Sequence, residues 1–208
     1  YPQLYGPRQL LPREWPIVRR VLDKRPFLIV PDGGLTVKSQ GWVENAAHAT
    51  LLATQRPHAA IGNIYNVADS YSLSIRQIAE IIAEELGHNW EIVSLPHEVA
   101  TSTRPLLTSW SSSHRVLDIG PMVRDLGYKD LVTPTEAWRL AARWLAENPL
   151  EPGGMLEKRL QDPFEYETED RQYEIWRECR ERLLSAEWSK QPGFSSAYVG
   201  RVPNPADS

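Results

Sequence analysis

The chain has 208 residues, of which 41% are hydrophobic and 24% charged, and its formal net charge is −4. This composition is typical of a globular protein with a buried core, and no apolar run approaches the roughly 18 residues that a membrane span requires. Residues 1–150 contain 15 basic and 15 acidic side chains, a balance that argues against nucleic acid as the main partner. The single cysteine, Cys179, excludes an internal disulfide and favours a cytoplasmic location.

The start of the sequence indicates that the chain is part of something longer. It begins at Tyr1, and its two methionines are Met122 and Met155. We therefore expect the 208 residues to be a C-terminal portion of a longer protein.

The first part of the chain alternates between helix and strand patterns. Pro16 predicts the start of a helix that Pro26 ends. An apolar strand is predicted over 27–30, followed by a Gly-rich turn over 31–34 and a second strand over 35–38.

Two helices and another strand are predicted next. Asn45 is predicted to cap a helix rich in Ala and Leu that continues through Leu52. A short strand is predicted over 64–67. Ser74 and Gln77 have the spacing of a capping box and predict the start of a strongly amphipathic helix.

A strand and a long loop follow this amphipathic helix. Gly87 supplies a left-handed stop, and 91–95 has the pattern of a strand. The Ser/Thr-rich segment 98–113, which carries Arg104 and Trp110, lacks periodicity and is predicted to be a loop, of a length that is often functional.

The last well-marked helix begins at a second capping box, formed by Thr133 and Glu136. Strands separated by helices indicate an α/β fold. We predict a main body over 1–148, a linker with an amphipathic helical extension over 149–190, and a loosely ordered tail over 191–208.

The sequence offers little support for a metal site or for a nucleophilic triad. The histidines show neither the i, i+4 pairing nor the cysteine partners of a metal site, so no metal ligand is predicted. Ser111–Ser113 with His114 is interpreted as a polar loop. No catalytic residue is assigned within the chain.

Five short motifs nevertheless occur in a particular order over residues 1–146. They are YPQLYGPR at 1–8, VPDGG at 30–34, VENAA at 43–47, IYNVAD at 64–69, and Asp118 followed by LGY at 126–128. In this order they resemble the C-terminal half of extended short-chain dehydrogenases, the NAD-dependent epimerase/dehydratase family. The resemblance implies the C-terminal part of a Rossmann-like NAD(P)-binding fold plus a small α/β substrate-binding domain.

The resemblance also implies a set of site residues. Tyr1 and Pro2 are expected to bind the cofactor beside the nicotinamide. Gln3 falls where nucleotide-sugar members usually carry Asn, and it has either a substrate contact or a structural role. Lys38 aligns with an Arg that holds substrate phosphate, and Arg104 is a second candidate phosphate anchor; for each of them the alternative is a solvated loop cation.

The Gly-rich phosphate-binding turn and the Tyr-x-x-x-Lys pair of the family do not occur in this sequence. We expect both to lie upstream in a full-length protein that uses NAD or NADP on a sugar or nucleotide-sugar-like substrate. The family resemblance makes a homodimer one of the expected forms of that protein. Two alternatives stay open. One is a non-catalytic binding or regulatory protein on the same scaffold, and the other is a short-chain dehydrogenase for a non-nucleotide alcohol.

Overall fold

The computed structural model describes residues 1–107, 112–190, 193, 195–196 and 200–201. They divide into two compact units, Tyr1–Asp170 and Arg171–Ser208. Trp110 and most of the predicted tail over 191–208 lie outside the described residues, and the predicted domain boundaries stay predictions.

Strands and helices alternate along the chain. The strands are β1 (Gln3–Tyr5), β2 (Phe27–Pro31), β3 (Gln40–Trp42), β4 (Glu91–Leu95), β5 (Ser195–Ser196) and β6 (Gly200–Arg201). The helices are α1 (Trp15–Leu22), α2 (Val43–Gln55), α3 (Pro57–Ala60), α4 (Ile75–Glu85), α5 (Gly120–Leu126), α6 (Pro134–Glu147), α7 (Met155–Leu160) and α8 (Tyr166–Leu184).

The four strands of the first unit form two parallel pairs. β1 pairs with β3, so that Gln3 lies opposite Gln40. β2 pairs with β4, and Val30 lies opposite Ser94. Parallel neighbours need crossover connections, and the helices between the strands supply them. The predicted α/β fold class is confirmed.

The strongest helix signals in the sequence are confirmed. α4 begins with a reciprocal capping box, in which the Ser74 hydroxyl accepts a hydrogen bond from the Gln77 amide and the Gln77 side chain accepts one from the Ser74 amide. Gly87 adopts a φ of 65° directly after the helix, as a left-handed stop requires. Thr133 caps α6 by accepting a hydrogen bond from the Glu136 amide.

The strand predicted over 35–38 is wrong. Val37 forms an isolated antiparallel bridge with Ser74, Lys38 forms a parallel one with Arg115, and the strand itself lies over β3. Val37 and Lys38 therefore pair with two different segments, and neither bridge extends into a ladder of a strand pair.

The strand predicted over 64–67 is also wrong. This segment is in no strand, and the Asp69 amide after it donates a single hydrogen bond of 2.9 Å to the Gln40 carbonyl. Val67 is buried in a cluster with Met122 and Leu126. Val67 is thus buried against α5 without strand pairing, whereas Ile64 is exposed.

The main core lies between α1, α4, α6 and the strands. Tyr5 stacks on Trp138 with ring centroids 4.1 Å apart and meets Trp42 edge to face at 5.5 Å. All three rings are almost completely buried. This aromatic group fixes the end of β1 against α6, and therefore the position of Gln3 two residues earlier.

A buried ion network fixes the outer side of α1. Arg20 is fully buried and donates to both carboxylate oxygens of Asp162, at 2.7 and 3.2 Å, and to Glu169. Burial by itself would lower the pKa of Arg20, but the two carboxylates raise it, so the residue keeps its charge.

Across the described ranges, none of the helices combines the length and apolar character that crossing a bilayer requires.

Candidate functional site

A cavity of about 510 Å³ lies between β1, the start of α1 and the start of α4. Its lining residues come from seven parts of the first unit, namely 1–3, Arg13 with Glu14 and Ile17, Thr36 with 38–40, Leu73 with Ile75 and Ile78, Pro105 with Leu106, Arg115 with Leu117, and Trp138. Several segments thus contribute to one concave surface, which is the usual setting of a small-molecule site.

Three basic residues line this cavity: Arg13, Lys38 and Arg115. The backbone holds two of them together, since the Ser39 amide donates to the Arg115 carbonyl at 2.8 Å and the Arg115 amide donates to the Val37 carbonyl at 3.0 Å. Burial lowers the pKa of Lys38, and the positive charges of Arg115 and Arg13 lower it further. The cavity therefore carries a concentrated positive charge that suits a phosphate group.

Another part of the cavity lining is apolar. Ile17, Ile75, Ile78 and Trp138 are buried side chains that line the cavity. Their surface can cover the apolar faces of a sugar or a base. The cavity thus combines a cationic part with an apolar part, which an ionic but partly apolar ligand would satisfy.

Two polar side chains of the lining have buried atoms without a hydrogen-bond partner among the described residues. They are Gln3, through Nε2, and Glu14, through Oε2. The other oxygen of Glu14 accepts a hydrogen bond from Gln9. Burial raises the pKa of Glu14 to about 7, although its hydrogen bonds oppose the shift. Atoms of this kind are candidates for ligand contacts, because buried polar groups are normally paired.

The cavity collects four of the five predicted site residues. Tyr1, Pro2, Gln3 and Lys38 all line it. Arg104 is exposed and lies outside the lining, to which Pro105 and Leu106 beside it contribute. The roles assigned to all five residues stay predictions.

Sequence reasoning did not single out Arg13, Glu14 or Arg115 as site residues. Arg115 stands three residues before the motif residue Asp118, so that motif was the available signal. Glu14 precedes the helix start at Trp15, where an acidic residue is ordinarily interpreted as a favourable charge at a helix N-terminus. Nothing in the pattern marks it as buried.

Asn45 was predicted to cap α2, and this is wrong. It is the third residue of the helix and is 1% exposed. Its Nδ2 donates to Asp69 at 3.0 Å and to the Val132 carbonyl at 2.9 Å, and its Oδ1 accepts from the Leu131 amide at 2.9 Å. Asn45 therefore ties α2 to two distant loops.

Asp69 completes this buried network next to the site. Its Oδ1 accepts from the Trp42 amide at 2.9 Å, and its Oδ2 accepts from the Tyr5 hydroxyl at 2.8 Å. Burial raises the pKa of Asp69, while these hydrogen bonds oppose the shift. The carboxyl group joins the ends of β1 and β3 and thereby fixes Gln3 and Gln40 at the cavity.

Comparison with known proteins gives relatives of this chain, although no family model matches it. An uncharacterized protein of Escherichia coli, YbjS, is 25% identical over 166 residues, which are 70% of this chain and 48% of that protein. UDP-D-apiose/UDP-D-xylose synthase 2 of Arabidopsis thaliana is 31% identical over 84 residues, or 40% of this chain and 22% of that protein. The chain thus spans half or less of the curated relatives that it matches.

Solved structures with a similar fold include nucleotide-sugar epimerases. UDP-galactose 4-epimerase matches with a TM-score of 0.55 and 23% identity over 72% of this chain and 45% of that protein. UDP-glucuronic acid 4-epimerase of Bacillus cereus, solved with UDP-glucuronic acid and NAD, matches with a TM-score of 0.55 and 17% identity over 71% of this chain and 44% of that protein. The resemblance to NAD-dependent epimerases and dehydratases is confirmed at the level of the fold, which this chain shares over somewhat less than half of their length.

Proposed function

We propose that the protein binds a nucleotide-sugar-like substrate in the cavity and serves as the substrate-binding portion of an NAD(P)-dependent epimerase or dehydratase. The observation that carries this proposal is the convergence of Arg13, Lys38 and Arg115 on one cavity that also has an apolar wall. A nucleoside diphosphate sugar has the matching parts, which are a charged diphosphate and the rings of a base, a ribose and a sugar.

The diphosphate is the part of the ligand that the basic residues explain. Like charges held close together repel one another, and Lys38 shows this repulsion because Arg115 and Arg13 both lower its pKa. An anion between them would relieve the repulsion. Arg115 and Arg13 can each form paired hydrogen bonds with a phosphate, whereas Lys38 contributes a point charge.

The proposed cofactor is NAD or NADP, bound beside Tyr1 and Pro2. Both residues line the cavity, and their rings offer surfaces on which a nicotinamide can pack. The nicotinamide would supply hydride transfer to and from a carbinol carbon of the substrate. The part of this chain in that chemistry is to hold the substrate by its phosphates and to exclude water with the apolar wall.

Titration calorimetry with UDP-galactose and UDP tests the proposal. We expect the purified protein to bind both ligands and Arg115→Ala to weaken both by about tenfold, since a charged hydrogen bond is lost. Arg124→Ala is the matched control, because Arg124 is exposed on α5 and lies outside the cavity lining. Absence of binding, or equal effects of the two substitutions, would contradict the proposal.

A short-chain dehydrogenase for a non-nucleotide alcohol is the second candidate. It is favoured by Gln3 and Lys38, which stand where nucleotide-sugar members usually carry Asn and Arg. Binding of free galactose as tightly as UDP-galactose would support it, because the phosphates would then contribute nothing. A non-catalytic binding role, a homodimeric form and a cytoplasmic location stay predictions.

A further inference from the structure

Glu14 is a buried acidic side chain that the protein itself satisfies only in part. It is 3% exposed, and its Oε1 accepts a hydrogen bond from Gln9. Its Oε2 is buried and has no partner among the described residues, and Glu14 belongs to the lining of the cavity. Buried polar atoms normally have a hydrogen-bond partner, so this carboxyl oxygen can accept a hydrogen bond from a ligand.

Gln3 offers the complementary group in the same cavity. Its Nε2 is a donor without a partner among the described residues. A hydroxyl group can both donate and accept a hydrogen bond, so neighbouring hydroxyl groups of one ligand can satisfy an acceptor and a donor together. Phosphate oxygens cannot do so, because they offer only acceptors and a carboxylate repels them.

The cavity lining has two parts, each of which suits a different group of the ligand. Arg13, Lys38 and Arg115 account for an anionic group, as proposed above. Glu14 and Gln3 then remain for a neutral polyhydroxy group, with the wall formed by Ile17 and Trp138 against its apolar face.

We propose that Glu14 is the specificity-determining residue of the cavity and that its Oε2 accepts a hydrogen bond from a hydroxyl group of the sugar in a nucleotide-sugar ligand. This inference rests on the proposed function and deepens it. It assigns the preference for a sugar-bearing nucleotide over the nucleotide alone to one side chain.

Glu14→Gln tests the inference with little change of shape. The Gln9 hydrogen bond occupies the remaining oxygen of the new amide, so the atom toward the cavity changes from an acceptor to a donor. At pH 8 we expect the affinity for UDP-galactose to fall about tenfold, while the affinity for UDP changes less than about twofold. Glu147→Gln, at an exposed position of α6, should change neither affinity.

A second variant and a pH series make the test independent of one substitution. Gln3→Met removes the donor at similar volume and should also weaken UDP-galactose selectively. The selectivity for UDP-galactose is the dissociation constant of UDP divided by that of UDP-galactose. In the wild type, protonation of Glu14 removes the acceptor and lowers this ratio as the pH is lowered from 8 to 6. In Glu14→Gln this ratio should change only through the ionisation of the terminal phosphate of UDP, whose second pKa is about 6, so the wild-type ratio should fall relative to that of the variant.

Two results would overturn the inference. If Glu14→Gln weakens UDP and UDP-galactose equally, Glu14 has a structural role and the proposed function still stands. If the wild type binds neither ligand, the proposed function fails and this inference fails with it.

Discussion

Lys38 and Arg115 lie opposite each other across an isolated parallel bridge, and both line the cavity. The two positive charges repel each other. Burial lowers the pKa of Lys38, and the charge of Arg115 lowers it further. This repulsion occurs at a concave surface. Binding of an anion there would stabilise the arrangement.

Binding of UDP should weaken at alkaline pH because of Lys38. A base with a lowered pKa loses its charge earlier as the pH rises, while a phosphate near its second pKa of about 6 is already ionised at pH 7.5. We therefore expect the affinity of the wild type for UDP to fall as the pH rises from about 7.5 toward the ordinary lysine pKa of about 10.4. Calorimetry across this range measures it.

Lys38→Arg is the control for this pH dependence. The guanidinium group stays charged throughout the range, so the affinity of the variant for UDP should be nearly constant. Identical profiles for the wild type and the variant would show that another group causes the pH dependence.

Glu14→Gln should stabilise the protein at neutral and alkaline pH. The folded state holds the Glu14 proton up to a pKa of about 7, whereas the unfolded state loses it near the ordinary value of 4.5. The wild type therefore loses stability as the pH rises from 4.5 to 7, and this loss persists above pH 7.

The size of this effect follows from the difference in pKa. It corresponds to at most about 3 kcal/mol of unfolding free energy at pH 8, and to almost none at pH 4. Urea unfolding of both proteins at these two pH values measures it, with Glu147→Gln as the exposed control. A larger advantage of Glu14→Gln at pH 4 than at pH 8 would contradict the assigned ionisation.

Local signals allowed much of the fold to be predicted from the sequence. The capping box of Ser74 and Gln77 and the stop at Gly87 are determined by neighbours in sequence, and α4 forms as they predict. The strand prediction for 64–67 fails because alternation of apolar and polar residues does not say what covers a side chain. Val67 packs against α5, whereas Ile64 is exposed.

The candidate site could be predicted only in part for the same reason. Gln3 and Lys38 belong to motifs, so the sequence marked them. Arg115 reaches the cavity because it bridges Lys38 across 77 positions of sequence, and Glu14 becomes a site residue only through burial. Neither long-range pairing nor burial at a helix start leaves a local signal.

Asn45→Asp should destabilise the protein strongly although the two side chains have nearly the same shape. Nδ2 of Asn45 donates to Asp69 and to the Val132 carbonyl, and a carboxylate oxygen would face both acceptors. We expect a loss of about 3 kcal/mol or more of unfolding free energy, because two buried hydrogen bonds are replaced by repulsion. Urea unfolding at pH 7 measures the loss.

Asn63→Asp is the matched control for this substitution. Asn63 is exposed and its Nδ2 donates to the Ala59 carbonyl, so a loss below about 1 kcal/mol is expected. Equal losses in the two variants would mean that Asn45 does not tie α2 to the distant loops.

Arg20→Met should unfold the protein most readily of the variants considered. The substitution removes the charge between Asp162 and Glu169 and leaves both carboxylates buried without it. Breaking a buried ion network at one end costs about 3 to 5 kcal/mol, far more than the network gains relative to apolar groups of equal size.

Two further variants separate the charge from the packing of Arg20. Arg19→Met removes a partly exposed cation that contacts Asp23 and Glu157, and it should cost only about 1 kcal/mol. Replacing Arg20, Asp162 and Glu169 together by Met, Leu and Leu should recover much of the stability lost in Arg20→Met, since no buried charge remains. Urea unfolding of the three variants distinguishes these cases. A triple variant less stable than Arg20→Met would show that the two carboxylates stabilise the fold through contacts other than the guanidinium group.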